Sequence, residues 1–404
     1  MELAMETRTS NKDIRILNRG LVLECIARGN GISRVDLARQ TSLTKTSITN
    51  VAGELLAQGI LCEASPESKR VHTGRKPVLL KISKDAPVIC SILIKRHRLQ
   101  VVIGNLQGIV LDSLAYEYEG LIDPEQMFEK LSSAFLILSR RCSSRIAGVG
   151  ISCVGPIDTV TGAILNPPNF FDRACSYPIV NRMRKLANVP VYFPHDTSAS
   201  VLAEKLYGTQ ICEKNFVFLS TFQGLGAGLV LDGKVYSGCI GQEGEIGHMS
   251  IREDGPLCTC GNRGCLEQYA SVEAMRHKLE ACRTIFPDHP FMQKASVSFA
   301  DFIAYADQND PLGLIIVDEY CRHVSTALIN LVNLLDINLI VIEYDTYSNG
   351  NTLETLLEKY INRGILSSKY RHIRVRQSEF GKDISAKGAI AAASIQIFQG
   401  NMIL

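Results

Sequence analysis

One histidine and three cysteines lie within 18 residues in the stretch EGEIGHMSIREDGPLCTCGNRGCLEQ, positions 243–268. They are His248, Cys258, Cys260 and Cys265, and they follow the pattern H-x9-C-x-C-x4-C. Such a group can be a set of metal ligands, a disulfide cluster or a coincidence of composition. Each alternative requires a different local structure, so the redox environment of the chain has to be inferred first.

The amino-terminal sequence MELAMETRTSNKD is polar and lacks the apolar segment of a signal peptide. The chain has no apolar run of 18 residues, so we expect no membrane span and a cytoplasmic protein. In a reducing cytoplasm disulfides are disfavoured, and clustered cysteines favour a metal. The other ten of the 13 cysteines are scattered, which is typical of small buried hydrophobic residues.

The first 83 residues are more basic than the rest of the chain. They carry 13 Lys and Arg against 8 Asp and Glu, whereas the remainder carries 30 against 33. The apolar residues Ile14, Leu17, Leu21, Val22 and Ile26 have roughly helical spacing and predict a first helix that ends at Gly29-Asn30. A basic segment on a slightly acidic body indicates a nucleic-acid module.

Two short helices joined by a tight turn are predicted next. Ser33 is the expected N-cap of the first helix, Ser42-Leu43 form the turn, and Thr44 caps a second helix that ends at Gly59. This is a helix-turn-helix pattern, and the amino-terminal turns of its second helix would meet base edges and phosphates. The residues predicted to contact DNA are Lys45, Thr46, Ser47, Thr49 and Asn50.

Two short extended runs follow, in GILCEASPESKRVHTGRKPVLLKIS, and they flank a polar loop. The loop contains Lys69, Arg70, Arg75 and Lys76, which predicts a β-wing whose Arg75 and Lys76 lie against the DNA backbone or minor groove. Any small helical bundle can show a helix-turn-helix pattern, but its combination with a basic wing favours a winged helix-turn-helix domain over residues 1–83.

From Ala86 onward, extended apolar runs alternate with helical stretches, which predicts an α/β body. One helical stretch is expected around Pro124 to Ser139, and a strand leads into a helix in VPVYFPHDTSASVLAEKLYG. The body is too long for one sheet. We therefore expect two lobes with a cleft between them.

Four motifs in this body resemble those of the ROK family of sugar kinases and sugar-responsive repressors. They are Val154-Gly155-Pro156-Ile157-Asp158, His195-Asp196 before a helix ending in Ala203-Glu204, the loop Gly224 to Gly228, and Glu243 to His248. The resemblance covers essentially the whole chain, and the amino-terminal module is similar to that of the repressor branch. It implies an actin-like, hexokinase-type two-lobe domain over residues 84–404, with a small lobe of about 84–197 plus the C-terminal helix and a large lobe of about 198–385.

The metal cluster has a clear chemical interpretation. One neutral imidazole and three thiolates, His248, Cys258, Cys260 and Cys265, make a tetrahedral set that suits zinc. Because all four ligands come from the protein, no coordination position remains for water, and we expect a structural Zn²⁺ that fixes the loop.

The ROK resemblance also implies a sugar pocket. Residues that match Asn169, Asp196, Glu245, His248 and Glu267 contact sugar hydroxyls in the family, and the zinc would hold the two glutamates in register. The residue before Asp196 is usually an asparagine in the family and is His195 here, so the pocket departs from the usual hexose-binding pattern. In the family's kinases the residue that matches Asp196 is the general base.

The nucleotide side of the family pattern is altered. The glycine-rich phosphate turn of the first hairpin is replaced by Lys95, Arg96 and Arg98, and the carboxyl-terminal glycine pair by Ile340 to Tyr344. Only the Gly224 to Gly228 loop remains, so phosphoryl transfer is not expected. We predict a sugar-responsive repressor of carbohydrate genes that binds a double-stranded operator as a homodimer or higher homo-oligomer. The alternatives are a sugar kinase with a fused DNA-binding domain, and a regulator with a vestigial pocket controlled by a protein partner.

Overall fold

The computed structural model describes residues 11–65, 78–153, 155–167, 170–208, 213–221, 224–239, 241–344 and 349–401. The chain divides into two compact units, one of Met1–Gln210 with Ser385–Leu404 and one of Ile211–Ile384. Among the described residues, no helix combines the length and the apolar character needed to cross a bilayer.

The first unit begins with three helices and a small antiparallel sheet. The sheet has the order β1-β3-β2, and β2 pairs with β3 on either side of residues 66–77, which lie outside the described residues. The predicted wing residues Lys69, Arg70, Arg75 and Lys76 therefore fall outside the described part of the chain. The elements are α1 (Asn11–Ala27), β1 (Ile32–Ser33), α2 (Arg34–Thr41), α3 (Lys45–Ala57), β2 (Leu61–Ala64) and β3 (Leu79–Ile82).

Local capping defines the turn between α2 and α3, as predicted. The hydroxyl of Ser33 accepts a hydrogen bond from the backbone N–H of Asp36, and that of Thr44 accepts one from Ser47, both at 3.1 Å. Between the two helices Ser42 takes a left-handed conformation with φ of 57°, which ends α2 sharply. The apolar face of α3 is buried as expected, through Ile48, Val51 and Leu55.

The helix predicted from the apolar spacing is present as α1, but its five apolar residues do not all pack inward. Ile14, Leu17 and Leu21 are exposed, whereas Val22 and Ile26 are buried. The face that packs inward contains Gly20. The neighbouring backbone comes so close at this position that a side chain would not fit. Hydrophobicity alone therefore did not identify the packed face.

The rest of the first unit is built on a five-stranded mixed sheet of order β11-β7-β4-β5-β6. Its strands β4, β7 and β11 run parallel, so their carboxyl ends meet at one edge, next to the start of α6. A three-stranded sheet, β10-β9-β8, lies beside it in sequence. The elements are β4 (Val88–Lys95), β5 (Arg98–Gly104), β6 (Val110–Glu117), α4 (Pro124–Arg141), β7 (Ile146–Cys153), β8 (Ile157–Asp158), β9 (Ala163–Leu165), β10 (Ser176–Tyr177), α5 (Ile179–Ala187), β11 (Val191–Tyr192) and α6 (Asp196–Tyr207).

The C-terminal helix (Ile384–Phe398) joins these parts of the first unit. Its residues Ala389, Ile390 and Phe398 share one hydrophobic cluster with Val22 of α1 and Ile89 of β4. The amino-terminal helices and the larger sheet therefore have a common core, and α1 is not an independent module on a linker.

The second unit is also organised around a five-stranded mixed sheet, of order β14-β13-β12-β15-β16. Its helices pack into one large apolar cluster, whose centre is the long helix α10. The elements are β12 (Phe216–Ser220), β13 (Gly226–Leu231), β14 (Lys234–Val235), α7 (Glu267–Ala270), α8 (Val272–Ala281), α9 (Phe299–Asp307), α10 (Pro311–Leu335), β15 (Leu339–Glu343), α11 (Thr352–Gly364) and β16 (Arg374–Gln377).

The packing of α1 can be tested with two identical substitutions. A Cβ atom at Gly20 would lie 2.0 Å from the carbonyl oxygen of Phe398, whereas at Gly53 on α3 no atom of the described residues lies within 4 Å. We expect Gly20→Ala to lower the free energy of unfolding by about 1–3 kcal/mol through overpacking. Gly53→Ala should raise it by about 0.5–1 kcal/mol, because alanine favours the helix. Urea denaturation followed by circular dichroism measures both, and a Gly20→Ala protein as stable as the wild type would contradict the packing.

Candidate functional site

The predicted metal ligands are brought together in the second unit. One ligand atom from each of His248, Cys258, Cys260 and Cys265 lies within 4.8 Å of all the others. The Cys258 sulfur is 3.7 Å from Nδ1 of His248, and the Cys260 and Cys265 sulfurs are 3.6 Å apart. Bonds of about 2.0–2.3 Å to a tetrahedral ion place its ligands about 3.3–3.8 Å apart. The four side chains therefore form a cluster that could hold a metal ion.

A tight turn positions the three cysteines. The N–H of Cys258 donates to the carbonyl of Asn262 at 2.7 Å, and the N–H of Gly261 donates back to Cys258 at 2.9 Å. Gly261 and Gly264 have positive φ, and a Cβ on Gly264 would meet the carbonyl oxygen of Arg252 at 1.6 Å. The glycines of CTCGNRGC are thus required by the backbone path that folds the sulfurs toward one point.

The thiols of this cluster differ in acidity. Burial raises the pKa of Cys258, but hydrogen bonds from Cys260 first, and then from His248, lower it to about 6. Burial and the neighbouring thiols raise the pKa of Cys265 to about 12. The cluster therefore favours one thiolate, and a bound cation would favour the others because thiolates are the ligands that metals take.

Two predicted effector residues, Glu245 and Glu267, lie next to the cluster in the chain. Glu245 immediately precedes a 3₁₀ turn, Ile246–His248, and Glu267 is the first residue of α7. The segments are joined by a hydrogen bond from the Leu266 N–H to the carbonyl of Met249 at 2.9 Å. Each glutamate lies within three residues of a metal-ligand candidate. Both carboxylates therefore stand on backbone that adjoins the cluster.

The glycine loop between β12 and β13 approaches Glu267 closely. Gly224 has φ of 142°, and a Cβ there would lie 2.8 Å from Oε1 of Glu267. The N–H of Gly247 donates to the carbonyl of Leu225, in the same loop, at 2.9 Å. The loop therefore supports the segment between the two glutamates, a role independent of phosphate binding.

His195 and Asp196 lie in the first unit. The backbone of Cys153, at the end of β7, forms an isolated parallel β-bridge with that of His195. The imidazole is buried, and its Nδ1 lies 2.8 Å from the hydroxyl of Thr197 and 3.1 Å from Oδ1 of Asp196. The Asp196 side chain is 46% exposed. These contacts fix the imidazole at the sheet edge and leave the carboxylate accessible. Asn169, the remaining predicted effector residue, lies outside the described residues.

The predicted DNA-contacting residues occupy the first turns of α3. Lys45, Thr46, Thr49 and Asn50 are exposed, while Ser47 is half-buried and held by the Thr44 cap. The Thr49 hydroxyl donates to the carbonyl of Lys45 at 2.8 Å. The exposed residues share one polar helix face, which is the arrangement expected of a surface that contacts a ligand.

The two altered nucleotide elements differ in their surroundings. The turn after Lys95 is a tight hairpin in which His97 has φ of 65°, and Arg98 pairs with Glu117 on β6. At the end of β15, Glu343 and Tyr344 are buried in the second unit. Large side chains thus occupy both positions at which the sequence departs from the family's nucleotide-binding pattern.

A cavity of about 280 Å³ beside Glu267 was not predicted from the sequence. Its described lining comes from the loop after β12, from the consecutive helices α7 and α8, and from α9 and α10. Gly224 and Glu267 belong to motifs of the sequence, but no motif or periodicity links them to Phe299 and Tyr320. Only the packing of the helices creates the space.

These features define a class: a two-unit α/β protein of hexokinase type with an additional amino-terminal helical module. The ROK family model matches residues 92–395, about three quarters of the chain, and the chain belongs to the ROK family. It is 26% identical to a putative xylose repressor of Caldicellulosiruptor sp. strain Rt8B.4, over 94% of this chain and 95% of that protein.

Two solved structures are similar to the protein. A ROK family transcriptional regulator described as a homolog of Escherichia coli Mlc has a TM-score of 0.77 and 27% identity, covering 96% of this chain and 98% of its own. A ROK family glucokinase from Streptomyces griseus, solved with glucose and AMPPNP, has a TM-score of 0.64 and 21% identity, covering 75% and 97%. The first confirms the expected repressor branch, and the second supports the fold alone.

Metal binding by the four-residue cluster can be tested directly. We expect about one metal ion per chain in the wild type, and loss of most of it in Cys258→Ser and Cys265→Ser, because a removed ligand leaves an incomplete tetrahedral set. Elemental analysis by mass spectrometry measures the content, and the melting temperature should fall in both variants and after chelation.

Cys62→Ser is the matched control, because Cys62 is exposed and lies outside the cluster. It should keep the metal and the stability of the wild type. Full metal content in both cluster variants would contradict the assignment.

Proposed function

We propose that this protein is a sugar-responsive, DNA-binding transcriptional repressor of carbohydrate metabolism genes without kinase activity. The observation that carries the proposal is the difference in coverage between two of its structural neighbours. The regulator covers 96% of the chain, but the glucokinase covers only 75%, although it is itself almost completely matched. The additional part corresponds in length to the amino-terminal module, with its capped helices α2 and α3. In this proposal residues 1–83 are the DNA-binding domain and residues 84–404 the sugar-sensing domain.

The module acts as a winged helix-turn-helix with α3 as its recognition helix. Lys45 contacts phosphate, while Thr46, Ser47, Thr49 and Asn50 read base edges, and Arg75 and Lys76 of the wing contact the backbone or minor groove. The exposed polar face of α3 supports this assignment. Two such modules in a homodimer, or in a higher homo-oligomer, bind a palindromic double-stranded operator, because symmetry in the protein requires symmetry in the site.

The effector is a sugar or sugar derivative. Asn169, His195, Asp196, Glu245, His248 and Glu267 are the proposed contacts. Carboxylates accept hydrogen bonds from vicinal hydroxyls, and an imidazole that binds a metal through one nitrogen can contact a hydroxyl through the other. The buried His195, held by Thr197, distinguishes this pocket from the usual family pattern and bears on which sugar it selects.

The metal is a structural Zn²⁺. Three sulfurs and one imidazole nitrogen are the donor set that zinc prefers, and the separations of 3.7 Å between Cys258 and His248 and of 3.6 Å between Cys260 and Cys265 fit a tetrahedral ion. Its chemical contribution is to crosslink the loop. His248, Cys258, Cys260 and Cys265 hold it, and the loop in turn keeps Glu245 and Glu267 at fixed positions.

The contacts of α1 supply a route from the effector pocket to DNA. Helix α6 begins at Asp196, and near its other end Lys205 experiences the charges of Glu24 and Arg28. The C-terminal helix contacts α1 at Gly20. Sugar binding that shifts either helix would move α1 and weaken operator binding. A coupling of about 1–3 kcal/mol gives a 5- to 150-fold change in affinity.

The proposal can be tested by fluorescence anisotropy on DNA from upstream of the protein's own gene, at fixed salt, with a panel of mono- and disaccharides. We expect tight binding that one sugar weakens at least fivefold, and no such response in Glu245→Gln, which loses a hydroxyl acceptor.

Two other results would contradict it. Tight binding indifferent to every sugar would favour control by a protein partner. Sugar-dependent ADP release from ATP would favour a kinase with a fused DNA-binding domain.

The recognition helix makes a separate prediction. Lys45→Ala should lower affinity for all sequences and reduce the slope of log K against log salt by about one, because one phosphate contact is lost. Thr49→Ala and Asn50→Ala should instead change the preference among operator variants, by about 1–3 kcal/mol per affected base pair. Lys359→Ala, a lysine outside the module, is the control for a general charge effect. Unchanged binding by all three α3 variants would show that α3 does not read DNA.

A further inference from the structure

Helix α1 lies beside the proposed recognition helix α3 and runs in the same direction. Arg15 of α1 pairs with Glu54 of α3 at 2.5 Å, and Arg19 donates to Gln58 at 2.7 Å. Both pairs join residues that are 39 positions apart in the chain. Because each helix advances by four residues between the two pairs, the helices are parallel. Their amino-terminal halves therefore lie at the same end of the pair.

A groove of about 510 Å³ separates the two helices at that end. Its lining includes Arg15 and Asn18 of α1 and Ser47, Asn50 and Glu54 of α3. Ser47 and Asn50 are also among the residues proposed to read base edges. The groove is therefore continuous with the proposed DNA-reading face of α3.

The side of α3 that faces α1 is about a quarter turn away from its exposed polar face. Each residue turns an α-helix by about 100°. Thr46, Thr49 and Asn50 are exposed on one face, whereas Ser47 and Glu54, which point toward α1, are half-buried. Helix α1 thus covers a flank of α3 and leaves the face that would meet the bases free.

This position determines which part of DNA α1 would meet. A helix with its side chains is about 10–12 Å wide and fills the major groove, which is about 12 Å wide. With α3 in the major groove, an element packed along its flank faces the edge of that groove. The sugar–phosphate backbone forms this edge, so the DNA group presented to the space between α1 and α3 is a phosphate.

Arg15 has the exposure and the chemistry that a phosphate contact requires. Its side chain is 68% exposed, whereas Arg19 is half-buried beside Gln58 and burial lowers its pKa. Exposed ion pairs such as Arg15–Glu54 contribute little to stability, so the guanidinium can exchange its partner at small cost. A guanidinium can bind a phosphate through two parallel charge-assisted hydrogen bonds.

We propose that α1 is part of the DNA-binding surface and that Arg15 contacts a backbone phosphate of the operator at the edge of this groove. The amide of Asn18 supplies a second donor. Glu54 holds the guanidinium beside the groove in the free protein and releases it to the phosphate. The inference rests on the proposed function, because it requires α3 to lie in the major groove.

The test is fluorescence anisotropy of the full-length Arg15→Gln protein on the upstream DNA over a range of salt concentrations. We expect roughly five- to tenfold weaker binding, and a slope of log K against log salt that falls by about 0.9 for each bound subunit. The preference among operator variants should not change, because a phosphate contact carries no sequence information. Arg15→Lys should restore most of the slope, since it keeps the charge.

Glu54→Gln is the matched control for the ion pair. It breaks the same pair but keeps Arg15, so it should bind DNA at least as tightly as the wild type. Arg283→Gln is the control for net charge, because Arg283 is an exposed arginine of the second unit that pairs with Glu280 at 2.7 Å. It should leave both the affinity and the slope unchanged.

Four results would overturn the inference. A wild-type slope in Arg15→Gln would do so and leave the proposed function intact. Equal weakening by Glu54→Gln and Arg15→Gln would show that the ion pair only holds α1 against α3. Equal weakening by Arg283→Gln would show a general effect of charge. Absence of DNA binding by the wild type would remove the proposed function together with the inference.

Discussion

The first unit depends on the close approach of the C-terminal helix to its neighbours. A Cβ atom at Gly150 of β7 would lie 1.8 Å from the carbonyl oxygen of Ala389, and one at Gly388 would meet the backbone of Ala199 in α6 at 2.6 Å. Together with Gly20 of α1, these glycines bring three elements against one helix at backbone distance. Interiors packed to this density transmit displacement, because there is no free volume to absorb it. The helix that packs against the sheet therefore also determines where the amino-terminal helices sit within this unit.

The second unit has a comparable constraint in its cysteine loop. The loop has few buried apolar side chains of its own, so its conformation depends on glycine turns, backbone hydrogen bonds and the four potential ligands of one metal ion. Both neighbouring glutamates inherit their positions from it. A carboxylate on an unconstrained loop would lose conformational entropy on binding a sugar, whereas one on a crosslinked loop has already lost it. In the proposed function, a structural metal at this loop would thus contribute to affinity without touching the ligand.

A kinase and a regulator place different requirements on the binding site of this fold. Phosphoryl transfer requires a nucleotide held in line with the sugar hydroxyl, and here large side chains replace two of the three phosphate-contacting elements of the family. A regulator needs only a binding energy that differs between two states of the protein. In the proposed function, the carboxylates, the buried imidazole and the shared core of α1 with the larger sheet serve that purpose. Asp196, which could act as a base in a kinase, is proposed to be a hydroxyl acceptor in this protein.

Local chemistry could be predicted well from the sequence, because caps, turns and metal ligands depend on residues close together in the chain. Ser33 and Thr44 cap their helices as predicted, and His248 and the three cysteines meet in one cluster. The roles of the individual effector and DNA-contacting residues remain predictions, and Asn169, Arg75 and Lys76 lie outside the described residues. The inward face of α1 and the cavity beside Glu267 were decided only by the tertiary structure. Both arise where helices distant in sequence pack together, and the closeness of that packing leaves no local pattern in the chain.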